Sequence, residues 1–434
     1  MTSQGEGPAA ERGHGSPHGG SDMVSVDAQV ADVAALIRPL EPIELALAEA
    51  EGCVLAADLE ARYPLPSFDN SAMDGYAVRA ADVAGASQGA PVTLPVAGEV
   101  AAGDTGPYAV VPGQCVRIMT GAKLPAGADA VVPVEWTSAA GLGGRRSDGG
   151  AAKVAIRQAA DRGNAVRRAG GDAKAGDVLL TAGTVLGPPQ IGLVAAAGHG
   201  TALVRPRPRV VVISTGNELA EPGAPLTPGR IWESNSFMLA AAARQAGCLA
   251  YRAPVVPDDP GALMDAIEDQ LLRADVLITS GGVSMGGEND VVKDVLRRLG
   301  TVTFRKVAMQ PGMPQGFGVI GPDQTPIFNL PGNPVSAYVS FQVFVRAALD
   351  ALLRTRELAL PTMQAVLSGP LKAPPERRAF LRGVLNRSEG TVQPLSGQGS
   401  HQLASLGRAN ALIVVPEWVV AMNEGDEAEV MMLP

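Results

Sequence analysis

"ADVLITSGGVSMGGENDVVKDVLRRLG", residues 274–300, is the stretch on which the fold turns. The apolar run Val276–Leu277–Ile278 reads as a buried strand. After Asp290, Val291, Val292, Val295 and Leu296 fall on one stripe, which reads as a helix. Between them lies a glycine-rich loop ending in Glu288 and Asp290. A strand, then glycines, then a helix start is the setting in which backbone N–H groups bind an anion. The loop fits neither the dinucleotide pattern GxGxxG nor the P-loop GxxxxGK[ST]. Taken alone it is a phosphate cradle, a metal loop or a turn.

The same alternation extends on both sides. "VVVIS" (210–214) reads as a strand and "SFMLAAAARQAG" (236–247) as a helix stopped by Gly247. "LAYRAPVV" (249–256) is a strand. "DPGALMDAIEDQLLRA" (259–274) is a helix with Pro260 in its first turn and Leu263, Ile267 and Leu271 on one face. "TVTFRKVAM" (301–309), "PIFNL" (326–330) and a long helix from Pro334 follow. Strands alternating with helices predict a doubly wound, mostly parallel α/β domain over 205–357.

The flanks read differently. Over 63–167 short apolar runs alternate with turn clusters, which predicts a β-rich insertion domain. Residues 358–434 return to short strands and predict a small C-terminal β domain. Residues 23–62 with 168–204 read as a helical linker domain. There Val30, Val33 and Ile37 share a face of one helix, "PIELALAEAEG" (42–52) gives a second, and Pro188 and Pro189 open a third. Residues 1–22, rich in Gly, Ser and Pro, are expected to be a disordered tail. The expected whole is a multidomain, elongated α/β plus β subunit.

Composition narrows the function. The net charge of -9 argues against a general nucleic-acid binder. Cys53, Cys115 and Cys248 lie far apart, so neither a disulfide framework nor a zinc knuckle is expected, in keeping with a reducing cytoplasm. No run of about 18 apolar residues predicts a membrane span. His199 and His401 are the histidines outside the tail, which leaves little material for a Ser-His-Asp mechanism.

In an open parallel sheet, ligands bind beyond the carboxyl ends of the strands. Three small, polar loops hold that position: "STGNEL" (214–219), the 280–290 loop, and "NLPGNPVS" (329–336). Each is either a turn with a helix cap or part of an anion site. Asn333 can cap the last helix and Pro334 suits its first position. Glu218, Asp258, Asp259 and Asp290 are caps and solvated acids, or they hold Mg²⁺, which needs few carboxylates when it bridges substrate phosphates. A second cluster lies in the β region, at "PSFDNSAMDGYAV" (66–78) and "RIMTGAKLPAGADAVV" (117–132). Asp74-Gly75 there is a hairpin turn, or Asp69, Asn70, Ser71 and Asp74 form a polar site.

Taken in order, "FDNSAMDGYAV", "RIMTGA", "LPAGADAVV", "STGNEL", "SGGVSMG", "LPGNPVSA" and "GQGSH" resemble the molybdopterin molybdenumtransferase family, which includes the C-terminal part of gephyrin. The likeness spans nearly the whole chain after the tail. It implies a cytoplasmic homodimer that inserts molybdate into adenylylated molybdopterin with release of AMP and use of Mg²⁺, and a molybdopterin adenylyltransferase as partner. It places catalytic roles on Asp74, Thr120, Glu218, Asp258, Asp290 and Lys306, with Glu218 and Asp290 as metal ligands. Substrate contacts fall on Ser280, Gly281, Gly282, Ser284, Pro331, Gly332, Asn333, Ser336, Arg377, Arg382 and Ser400. Arg378 competes with Arg377 for the first arginine position. The resemblance also implies a site formed between the β region and the α/β loops.

Several positions depart from the family's pattern. Gln310 and Met313 stand where lysines are common, Asn217 where an aspartate is frequent, and the 280–290 loop is one residue longer. Arg305, beside Lys306, is the candidate to replace the lost charge. Two alternatives follow: the adenylyltransferase that makes the substrate, which needs the α/β domain alone, or a non-catalytic scaffold that binds cofactor.

Overall fold

The computed structural model describes residues 23–140, 153–282 and 291–434. They fall into two compact units, one of residues 41–206 and one formed by 23–40 with 207–434.

The second unit holds the seven-stranded sheet. Its strands are β1 (Met23–Val24), β2 (Arg209–Ser214), β3 (Leu249–Arg252), β4 (Val276–Ser280), β5 (Gly300–Val307), β6 (Pro314–Ile320) and β7 (Thr325–Leu330), in the spatial order β1-β5-β6-β7-β4-β2-β3. β7, β4, β2 and β3 are mutually parallel, as is β1 with β5. β6 runs against both its neighbours. It is a strand the sequence reading passed over, because Gly316 and Gly318 interrupt its apolar pattern. The glycines are needed: a Cβ on Gly318 would sit 2.0 Å from the Thr301 carbonyl oxygen.

Side chains of the central strands alternate between two cores. Val210, Val212, Val276 and Ile278 face the helices Asn235–Gln245, Val26–Leu36 and the long helix that begins at Pro334. Val211, Ile213 and Leu277 face the helices Pro260–Leu271 and Val291–Leu299. A sheet covered on both faces explains why its strands read as unbroken apolar runs. After β2 the chain moves outward to β3, then crosses back to β4 and on toward β7. The reversal puts a topological switch point between β2 and β4, and in open sheets of this kind ligands bind beyond the carboxyl ends of the strands at that point. Among the described residues, Pro334–Leu353 is the one helix long and apolar enough to cross a membrane, and it is mostly buried in its own fold.

The C-terminal strands close on themselves. Arg378–Asn386 pairs with both Thr391–Pro394 and Ala411–Val415, and Thr362–Leu367 and Glu427–Met432 complete the ring. Ala365, Leu381, Val392, Ile413 and Val430 fill it.

In the unit of 41–206, a five-stranded sheet runs Lys153–Ile156, Val92–Val100, Cys115–Ile118, Gly75–Val78, Ala130–Pro133. Beside it, Ile43–Ala46 and Val54–Leu55 pair with Thr201–Arg205, and the helix Pro188–Ala196 covers them. Two expectations are corrected here. Residues 42–52 are not a second helix but a strand followed by the short 3-10 turn Leu47–Glu49. Ile43, Leu45 and Leu47 alternate at period two, and pairing with Thr201–Val204 overrides the helix propensity of Ala, Leu and Glu. The first helix also does not belong with this part. Met23–Val24 pairs with Lys306 and Val307, and Val26 and Val33 enter the core of the α/β sheet.

Candidate active site

The loops after β2, β4 and β7 meet at one edge because those strands are adjacent and parallel. The Thr215 N–H donates to the Ser280 carbonyl at 3.2 Å, and the Gly281 N–H to the Leu330 carbonyl at 3.2 Å. Gly281 adopts φ 110, and a Cβ there would lie 2.9 Å from the Thr215 carbonyl oxygen, so glycine is required. Gly332 faces it, with the Gly281 Cα only 3.6 Å from where a Gly332 Cβ would be.

The segment between β2 and the next helix ties these loops together, and sequence reasoning missed it. Glu233 is almost fully buried. It accepts from Ser214 Oγ at 2.8 Å, from the Ser236 N–H at 2.7 Å and from Ser236 Oγ at 2.6 Å, with Arg252 at 3.5 Å. Asn235 donates from Nδ2 to Ser280 Oγ at 2.8 Å and to the Gly332 carbonyl at 2.7 Å. Asn329, also buried, donates to Thr279 Oγ1 and to the Gly281 carbonyl. The signal was the pair of polar residues in "WESNS" beside a helix start, which reads as ordinary capping.

Among the described residues, each anticipated residue of the α/β loops has a definite place. Ser280 is buried, and its hydroxyl is engaged by Asn235 and, at 3.4 Å, by the Pro331 carbonyl. Gly282 follows with φ 64. Glu218 is exposed and folds its carboxylate back over Gly216, within 2.7 Å of where a Cβ would be. Asp258 and Asn217 clasp each other: each backbone N–H donates to the other's side-chain oxygen at 3.2 Å. Asp259 caps its helix through the Ala262 N–H. Asn333 occupies the cap position of the last helix, but its side chain makes no capping bond. Pro334 has no N–H, and the Val335 N–H donates to the Ser400 carbonyl at 3.1 Å, so this helix end offers less to an anion than its sequence suggests. Ser336 is buried. Ser284, Glu288 and Asp290 lie outside the described residues.

The cations separate clearly. β5 runs parallel to β7, since each opposes β6, so Lys306 near the end of β5 stands on the loop edge. Arg305 does not stand in for the missing lysines: its Nη1 is paired with Asp32 at 2.7 Å. Arg378 is held by Asp27 and Glu417, and the Asp27 hydrogen bonds lift its pKa further. Arg377 instead meets the neutral Gln310 Oε1 at 3.4 Å. Among the described residues, Lys306 and Arg377 have no carboxylate partner. Arg382 is fully buried and has no carboxylate partner either, so desolvation lowers its pKa. It donates to Ser405 Oγ at 2.8 Å and to the carbonyls of Gly397 and Gly399 at 2.6 and 3.1 Å. Rather than facing solvent, it braces the loop that carries Ser400.

In the other unit, Asp74 Oδ1 accepts from the Thr120 N–H at 2.7 Å and from Thr120 Oγ1 at 2.8 Å. The Thr120 N–H, then its hydroxyl, hold the Asp74 carboxyl below its ordinary pKa. Asp74 is not in a hairpin turn: Gly75 begins a central strand, where a Cβ would lie 2.1 Å from the Val132 carbonyl oxygen. Asp69 is bound by Arg168 and the Ala169 N–H, and Ser71 Oγ donates to the Met73 carbonyl, so these residues shape the turn around Asp74. Among the described residues, no three His, Cys, Asp or Glu side chains form a metal cluster.

Comparison with known proteins covers almost the full chain. Residues 24–198 match the MoeA N-terminal region (domain I and II), 211–351 a probable molybdopterin binding domain, and 364–433 the MoeA C-terminal region (domain IV). The chain is 46% identical to molybdopterin molybdenumtransferase 2 of Mycobacterium tuberculosis, covering 94% of this chain and 99% of the relative. It is 33% identical to the molybdopterin molybdenumtransferase of Bacillus subtilis, covering 94% of both. A crystal structure of the molybdopterin biosynthesis MoeA protein of Pyrococcus horikoshii OT3 superposes with a TM-score of 0.76 at 27% identity, over 94% of this chain and 100% of that one.

Proposed function

The chain belongs to the MoeA family, and from that premise we propose how its own residues serve molybdenum transfer to molybdopterin. It is a transferase of molybdenum cofactor biosynthesis. The adenylyltransferase alternative would leave residues 24–198 and 364–433 without a part to play. In our reading the substrates are molybdate and adenylylated molybdopterin, and AMP leaves. The observation that carries this reading is the convergence of the loops after β2, β4 and β7 on one edge, with Lys306 at the same edge.

The loops bind. Gly281, Gly282 and Gly332 carry no Cβ at these two turns, so a pterin phosphate can approach the backbone closely there. Lys306 and Arg377 supply positive charge for molybdate and phosphate, Arg377 with a planar fork suited to oxyanions. Gln310, where the family's pattern has lysine, bonds to Arg377 rather than repelling it, so the anion affinity rests on fewer charges. Preorganised donors and cations of this kind stabilise charge without reorganising.

Mg²⁺ fits as a substrate-bridged ion: it needs one or two carboxylates and completes its shell with water and phosphate. Glu218 is exposed with its carboxylate over Gly216, and Asp258 is held by Asn217. These would hold it, together with Asp290. The ion would neutralise phosphate charge as AMP departs. Within its own unit, Asp74, kept ionised by Thr120, is a preorganised hydrogen-bond acceptor. We further propose a cytoplasmic homodimer served by a molybdopterin adenylyltransferase.

The test is incubation of the purified protein with adenylylated molybdopterin, Mg²⁺ and molybdate. AMP release coupled to formation of active cofactor is expected. Tight binding without AMP release refutes the reading.

A further inference from the structure

We propose that Asn235 is a positioning residue that locks the two substrate-binding turns to each other, with Glu233 setting where it stands. This deepens the reading above and rests on it. The geometry calls for asparagine. The Gly332 carbonyl can only accept, so the group facing it at 2.7 Å must be the amide nitrogen. The second hydrogen on that nitrogen goes to Ser280 Oγ at 2.8 Å, which leaves the Ser280 proton directed at the Pro331 carbonyl. One side-chain atom therefore spans the turn after β4 and the turn after β7. An aspartate would turn a lone pair toward the Gly332 carbonyl, and an alanine would leave it bare.

Asn235 can do this only if its helix starts in the right place. Glu233 fixes that start by accepting from both the N–H and the hydroxyl of Ser236, and by accepting from Ser214 at the very end of β2. Arg252 supports the arrangement from β3, with its Nε donating to Ser236 Oγ at 2.7 Å. The ends of β2, β4 and β7 are thereby held in one register through Glu233 and Asn235, the first and last residues of the "ESN" segment. Neither residue needs to touch substrate.

The expected effect is on binding rather than on the chemical step, because a loosened cradle weakens ground state and transition state alike. Asn235→Ala should raise KM for adenylylated molybdopterin by roughly tenfold or more while kcat stays within about threefold. Asn235→Asp, which keeps the volume, should do the same, and so guards against a packing defect. Hydrogen exchange of the Gly281 amide, measured without substrate, should accelerate in both. Wild-type KM together with wild-type exchange in Asn235→Asp overturns the proposal, as does a loss confined to kcat. If the wild-type protein transfers no molybdenum, the functional reading fails on its own account, and the exchange measurement still decides whether Asn235 holds the turns.

Discussion

Replacing Arg382 tests whether this arginine braces a loop or grips a substrate. It is fully buried and paired with no carboxylate, and it donates to Ser405 Oγ and to the carbonyls of Gly397 and Gly399. Arg382→Ala strips donors from the buried Ser405 Oγ and from the half-buried carbonyls of Gly397 and Gly399, each worth roughly 1–3 kcal/mol where it is left bare. Relief from burying an unpaired charge offsets part of that. A net loss of about 3–5 kcal/mol is expected, near the upper end for a single substitution. At about 2–4 °C per kcal/mol for a unit of this size, calorimetry should show Tm falling by roughly 6–20 °C. Arg382→Lys keeps the charge but reaches fewer acceptors, so it should fall between. Since the Ser400 carbonyl on the same loop holds the Val335 N–H, KM should rise in step with the loss of stability. An Arg382→Ala protein with unchanged Tm and a raised KM would refute this account and make Arg382 a direct substrate contact.

Three further outcomes are expected. Thr120→Val removes one of the two bonds to Asp74 Oδ1 and should raise the Asp74 pKa, read by NMR titration; because the folded pKa is depressed, the small stabilisation from this ionised group is present above the unfolded value of about 3.9 and is lost as pH falls through the folded pKa. Gly281→Ala forces φ 110 on an alanine with its Cβ 2.9 Å from the Thr215 carbonyl oxygen, and should reduce kcat/KM by about 10²-fold with most of the fold intact by circular dichroism. Burial pushes the thiols of Cys115 and Cys248 up to about 12, so a thiol reagent at pH 8 should modify neither until denaturant is added.

The sequence made the α/β sheet legible because its strands are buried on both faces and its helices carry sharp stops: Pro260 opens one, Gly247 closes another, and neither signal competes with anything else. It misled where two periods overlap. "PIELALAEAEG" satisfies helix propensity residue by residue, yet Ile43, Leu45 and Leu47 also alternate, and only the presence of Thr201–Val204 some 150 positions away decides between them. The candidate site divides in the same way. Its loops were visible as glycines and prolines after strands, since those residues report local backbone needs. What fixes each loop was not visible, because Glu233, Asn235 and Asn329 act through partners far off in sequence. Cations were the hardest to read. "RKV" and "ERRAFLRG" present Arg305, Lys306, Arg377, Arg378 and Arg382 as equal candidates, and pairing and burial in the fold separate them. Asp32 and Asp27 neutralise Arg305 and Arg378, burial removes Arg382, and the two that remain are the ones next to neutral or unpaired surroundings. For an anion site, then, the informative quantity is not how many arginines a motif supplies but how many carboxylates the rest of the fold withholds from them.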